Sequence, residues 1–203
     1  MNQINHFKML VLGILFLGVF SVKAQDPNRF KEQVDQLFNK EYNFSPNKKL
    51  VVFTGSSNIR MWKDVQDYFL DYNIINNGFG GSHFSDLIYF YDELITKQTP
   101  KILFIYEGDN DIAADKKPTK ILKEAKGLVK RIQKDLPQTK VVLISPKPSI
   151  ARKNLKKDYI KLNNKLKKYC KKQGNVEFAD VWSIMLDENG NVFEDIFIED
   201  GLH

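Results

Sequence analysis

The residues of this chain best suited to chemistry are a serine pair, an asparagine and an aspartate–histidine pair, carried with a glycine-rich loop on four separate segments. Gly55-Ser56-Ser57-Asn58 follows an apolar run, so glycine can turn the chain sharply and leave a serine at a helix start. Unsatisfied N–H groups there favour developing negative charge, although glycine and serine also make ordinary turns and caps. The segment is neither the GxSxG elbow of the α/β-hydrolases nor a phosphate loop, which needs a further glycine and a lysine. Asn76-Asn77-Gly78-Phe79-Gly80-Gly81-Ser82-His83 contains three closely spaced glycines, which let backbone N–H groups approach a ligand or simply make a flexible turn. In Gly108-Asp109-Asn110-Asp111 the Asn110 amide is a candidate donor to an oxyanion. Asp109, Asp111 and Asp115 also suggest a cation site, but the glycine and closing glutamate of a calcium loop are missing.

A serine nucleophile needs an imidazole base oriented by a carboxylate. Beyond residue 24 the histidines are His83 and His203, and only His203 has an aspartate three residues before it, in Asp200-Gly201-Leu202-His203. That spacing alone is weak, since it also fits half of a metal site. His83, without such a carboxylate, reads as a loop cap or pocket wall, while Trp62 and Phe79 are candidates for a substrate pocket or for the core.

The elements that must position these residues alternate in type. Short apolar runs at Lys49–Thr54, Tyr72–Asn76, Lys101–Tyr106 and Lys140–Ser145, with a weaker one at Val176–Val181, read as buried strands. Helical patterns cover Pro27–Tyr42, Ile59–Leu70, Ser85–Lys97 and Thr119–Leu136. In the basic stretch from Arg152 to Lys172, Leu155, Tyr159, Leu162, Leu166 and Tyr169 form one apolar stripe. Its lysines read as a solvated face, and no aromatic-interleaved basic patch points to nucleic acid. Alternating strands and helices predict a mostly parallel sheet covered on both faces. Ligands bind such sheets at the carboxyl ends of the strands, so the loops starting at Gly55, Asn77 and Glu107 should converge.

Lys8, the apolar run Met9–Phe20 and the small residue Ala24 predict a cleavable export signal over residues 1–24 and a periplasmic or secreted product. The run is about twelve residues, short of the roughly 20 that span a bilayer, which disfavours an uncleaved anchor and predicts no membrane insertion after cleavage. Residues 25–203 then form one domain with Cys170 as its single cysteine, so no internal disulfide is available. Loss of Lys8 and Lys23 with the signal lowers the net charge from +6 to +4.

Taken together, a serine after the first strand, a glycine after the second, GxND after the third and DxxH near the C-terminus resemble the four-block pattern of the SGNH/GDSL hydrolases. Gly55–Trp62 and Gly78–His83 look like a bacterial exported acylhydrolase branch of that family. The resemblance implies a flavodoxin-like three-layer α/β/α sandwich with a five-stranded sheet. It makes Ser57 the nucleophile, Asp200 and His203 the base pair, and the Ser57 N–H, the Gly81 N–H and the Asn110 amide the oxyanion hole. It implies a carboxylic ester substrate, small-molecule, glycan or lipid, and neither metal nor organic cofactor. The first block reads GSSN where the family has GDSL. Family members continue past the histidine into a closing helix, and the sequence ends at His203. A non-catalytic glycan- or envelope-binding protein on the same fold is the alternative expectation.

Overall fold

A computed structural model describes residues 26–203. The expected export signal at 1–24 lies outside the described residues. Five strands, β1 (Lys49–Gly55), β2 (Tyr72–Gly78), β3 (Ile102–Tyr106), β4 (Lys140–Ile144) and β5 (Val176–Ala179), pair in the order β2-β1-β3-β4-β5. Every pairing is parallel, which is the flavodoxin-like arrangement. The chain runs outward from β1 to β2 and then crosses to β3 on the other side. The carboxyl ends of β1 and β3 therefore flank the switch point at which such sheets bind ligands.

The helices are α1 (Lys31–Phe38), α2 (Ser57–Met61), α3 (Phe84–Tyr89), α4 (Tyr91–Leu94), α5 (Asp109–Ala113), α6 (Pro118–Asp135) and α7 (Lys156–Cys170). Right-handed crossovers place α2 on one face and α3, α4, α6 and α7 on the other. On the thicker side, Val52, Ile75, Leu103, Ile105 and Val141 are buried in one core with Leu87, Leu94, Ile121, Leu128 and Leu162. Val34 of α1 belongs to the same core. On the α2 side, Val51, Phe53 and Tyr106 meet Ile59 and Val65, and Phe53 stacks on Phe104 at 4.5 Å. That layer is thinner, leaving Ile102, Phe104 and Ile144 only half-buried. No helix among the described residues is long and apolar enough to cross a membrane.

Several helices are shorter than their periodicity predicts. The Ile59–Leu70 pattern divides into α2 and a 3-10 turn at Val65–Tyr68. The cause is Asn76 on β2, whose amide donates to the carbonyls of Ile59 (2.7 Å) and Trp62 (2.9 Å) at the end of α2. Pro27–Tyr42 becomes a 3-10 turn at Pro27–Phe30 followed by α1, and Ser85–Lys97 divides into α3, α4 and a 3-10 turn. The apolar stripe of α7 is buried from Tyr159 to Tyr169, and Cys170 is buried beside it. Burial raises the Cys170 thiol to about 11, which suits a packing role.

Candidate active site

The serine loop follows from the end of β1. Gly55 has φ +124°, and a Cβ there would lie 2.0 Å from the Tyr106 carbonyl of β3, so only glycine lets the strands stay this close while the chain turns. Ser56 then caps α2 and is fully buried, whereas Ser57, the first residue of α2, is partly exposed. Of the two serines, only Ser57 reaches the surface.

The segment Asp200–His203 folds over the carboxyl edge of the sheet. Asp200 Oδ1 accepts from the N–H groups of Leu202 (2.8 Å) and His203 (2.9 Å), winding the segment into a tight turn. Its other oxygen lies 2.5 Å from His203 Nδ1, and His203 Nε2 lies 2.7 Å from Ser57 Oγ. A carboxylate at Nδ1 fixes that nitrogen as the proton carrier and leaves Nε2 a lone pair aimed at the serine. The bond from His203, helped by the two backbone donors, holds the Asp200 carboxyl well below the usual carboxylate range.

The turn is docked by the loop after β4. The Ala151 N–H donates to the Gly201 carbonyl at 3.0 Å. The Lys147 ammonium donates to the Leu202 carbonyl and sits 4.5 Å from the Phe197 ring centroid. Burial lowers Lys147 to about 8, against the pull of Asp109 and Asp200.

Asn110 lies on α5, a short helix that the apolar pattern does not show. Gly108 enters α5 at φ +107°. The Asn110 amide donates to the Ser82 carbonyl (3.0 Å) and to Ser56 Oγ (3.1 Å). Arg152 donates to its Oδ1 at 2.9 Å and also pairs with Asp109, which settles which end of the amide is the donor. Gly81 is exposed at φ +78°, with nothing within 4 Å of where a Cβ would be. Among the described residues, neither the Ser57 nor the Gly81 N–H donates to another protein group. The Asn110 amide thus ties Ser56, the neighbour of Ser57, to Ser82, the neighbour of Gly81, and so links the serine loop to the glycine loop.

The other sequence candidates fall elsewhere. His83 is buried at the start of α3, where it shares a capping box with Asp86 and lies 3.7 Å from Asp111. Burial, with Lys116 nearby, lowers it to about 4, so it is neutral at physiological pH. Phe79 is fully buried and packs edge-on to Phe30, so it is a core residue with no surface to offer a pocket. Trp62 packs with Phe53, Phe69 and Tyr68 on the α2 side of the sheet. A cavity of about 290 Å³ opens beside Arg152 between Ile150, Lys156, Trp182 and Leu186, and neither Ser57 nor His203 lines it. Two of the three aspartates that suggested a cation site are already paired, Asp109 with Arg152 and Tyr106 and Asp111 with Lys116. No cluster of three or more His, Cys, Asp or Glu able to hold a metal occurs among the described residues.

Lys147, Arg152 and Asn76 were not signalled as site residues by the sequence motifs. Lys147 and Arg152 nevertheless lie after the carboxyl end of β4, and the rule that singled out the other three loops covers this one equally.

The chain belongs to the GDSL-like lipase/acylhydrolase family, whose model matches residues 45–203, and so to the ester-cleaving hydrolases. A comparison with curated proteins found no match. Among solved structures, it is similar to a protein provisionally described as a platelet activating factor from Streptococcus pneumonia. The two are 19% identical with a TM-score of 0.73, covering 87% of this chain and 84% of the other. A GDSL-like lipase from Bacteroides thetaiotaomicron is 19% identical with a TM-score of 0.69, covering 88% of each chain. An acetylxylan esterase from Geobacillus stearothermophilus, solved as a catalytic mutant, is 13% identical with a TM-score of 0.60, covering 76% of this chain and 86% of the other. At these identities the likeness is one of fold, the SGNH hydrolase α/β sandwich.

Proposed function

We propose that the protein is an exported serine esterase that removes short acyl groups, acetyl foremost, from carbohydrate or small-molecule esters. The observation that carries this reading is the continuous chain Asp200–His203–Ser57, with links of 2.5 and 2.7 Å. Ser57 Oγ attacks the ester carbonyl as His203 Nε2 takes its proton, and Asp200 stabilises the imidazolium. The carbonyl oxygen, now an oxyanion, is met by the Ser57 and Gly81 N–H groups and by the Asn110 amide, which exchanges the Ser56 hydroxyl for the substrate oxygen. Collapse expels the alcohol, which receives the proton from His203. Water, deprotonated by the same imidazole, then attacks the acyl carbon; the bond to Ser57 Oγ breaks, Oγ takes the proton back from His203, and the carboxylic acid is released.

Short acyl groups are favoured by a serine set at the open edge of the sheet and by the lack of long apolar insertions around it. Export rests on the pattern of residues 1–24. The test is hydrolysis of p-nitrophenyl acetate and butyrate by the protein and by Ser57→Ala. The reading expects faster turnover of acetate and its loss in the variant. Equal hydrolysis by both proteins would refute the nucleophile, and silence in both would favour a binding protein on this fold.

A further inference from the structure

Glu107, between β3 and the Gly108 turn, is a buried carboxyl that the proposed mechanism does not use: it is 1% exposed and its side chain points at Ser82. Ser82 Oγ lies 2.6 Å from Glu107 Oε1 and 3.2 Å from the Phe79 carbonyl. A hydroxyl has one proton, so it cannot donate to both of these oxygens. If Glu107 were a carboxylate, one contact would be an acceptor facing an acceptor, and a charged oxygen would also stay bare, because Glu107 Oε2 is buried with no hydrogen-bond partner. If Glu107 carries the proton, both contacts are satisfied. Glu107 donates to Ser82 Oγ, Ser82 donates to the Phe79 carbonyl, and the bare atom is a neutral carbonyl oxygen, which is far cheaper to bury.

The charges around Glu107 point the same way. The carboxyls of Asp111, Asp86 and Asp109 act on it from α5 and α3, and each is matched with its own cation: Lys116 for Asp111, Arg29 for Asp86 and Arg152 for Asp109. His83, which faces Asp111, is neutral at physiological pH. Burial and these like charges push the Glu107 carboxyl well above its ordinary value.

Ser82 is also the residue that joins the two loops of the site. It follows Gly81 directly, and its carbonyl accepts from the Asn110 amide. We infer that Glu107 is kept as a neutral acid whose proton fixes Ser82, and that through Ser82 it positions the Gly81 and Asn110 donors. Glu107 is thus a positioning residue, and this role rests on the esterase reading above, whereas its protonation does not.

The test has one arm that needs no activity. The infrared difference between the wild type and Glu107→Gln at neutral pH is expected to show the carbonyl stretch of a protonated carboxylic acid in the wild type, and its absence overturns the inference. Glu107→Leu, which leaves Ser82 without a donor, is expected to speed hydrogen exchange over residues 79–84 and to lower kcat about tenfold or more with little change in KM. Glu107→Gln, whose amide still donates to Ser82, is expected to recover most of both losses. Glu107→Leu with wild-type loop exchange and kcat overturns the positioning role, as does failure of Gln to recover what Leu loses. A protein that shows the band but cleaves no ester refutes the esterase reading and leaves the protonation standing.

Discussion

Asn110 holds three partners at once, accepting from Arg152 and donating to Ser56 and Ser82. Its amide therefore stays directed at the serine loop without needing substrate to order it, the kind of preorganisation from which an oxyanion donor draws its effect. Asn110→Ala should lower kcat by on the order of a hundredfold, about 3 kcal/mol in the barrier, with a much smaller change in KM. Steady-state kinetics on p-nitrophenyl acetate check this. Arg152 acts one step further out. Arg152→Ala leaves Asp109, which is 3% exposed, without its cation and with only the Tyr106 hydroxyl as side-chain donor, and frees the Asn110 carbonyl. Losing a fully buried partner costs about 3–5 kcal/mol; with the Arg152 side chain 18% exposed, about 2 kcal/mol is expected. Chemical denaturation measures that loss, and kcat should fall with it. The serine, the asparagine and the aspartate–histidine pair could be picked out in the sequence because each sits in a short motif of unusual composition. Arg152 could not, because it begins a lysine-rich stretch and reads there as one more solvated cation. Glu107 was equally hidden, since nothing in a sequence distinguishes a buried glutamate from an exposed one.

At the scale of elements, Ser57, the proposed nucleophile, depends on a helix of five residues that cannot be stable by itself. It is held at its end by Asn76 from the neighbouring strand. Asn76→Ala leaves the Ile59 and Trp62 carbonyls without that donor and should cost about 1–2 kcal/mol. Thermal unfolding checks the cost. Because α2 carries Ser57, labelling of the serine should slow as well. The same contact explains why the helical periodicity of Ile59–Leu70 overreaches. The apolar residues keep their spacing, but the carbonyls that would continue the helix are bound to a strand side chain, a tertiary effect that no local pattern contains. The short helix α5 was invisible for the opposite reason, since five residues are too few to display a period. The three central strands were legible because each is a compact run rich in apolar residues, while the edge strands β2 and β5 are more exposed and carry a fainter pattern; limits shift by only a residue or two at most ends.

At the scale of the whole molecule, the alternation of strands and helices leads to the parallel sheet, and the sheet brings the motifs together at one edge. The loops that carry residues 57, 81 and 110, distant in sequence, gather at that edge for that reason, and His203 reaches Ser57 there. Assembling the site also buries acid groups, which has a consequence for stability. The Glu107 carboxyl is raised well above its ordinary value of about 4.5 by burial and by Asp111. Between the ordinary and the raised value the folded protein binds a proton that the unfolded chain has released, so stability from this group falls as pH rises through that window. Glu107→Gln cannot ionise, so its melting temperature relative to wild type should climb as pH goes from 4.5 toward neutrality. A difference that stays flat across this range would mean that Glu107 is ionised in the folded protein.

If the Asp200–His203 pair activates Ser57, a fluorophosphonate should label that serine covalently. Intact mass and peptide mapping should show one phosphonyl adduct on Ser57 in the wild type, none in Ser57→Ala, and greatly slowed labelling in His203→Ala. No adduct in the folded wild type, an adduct on another residue, or labelling that ignores the loss of His203 would contradict the account.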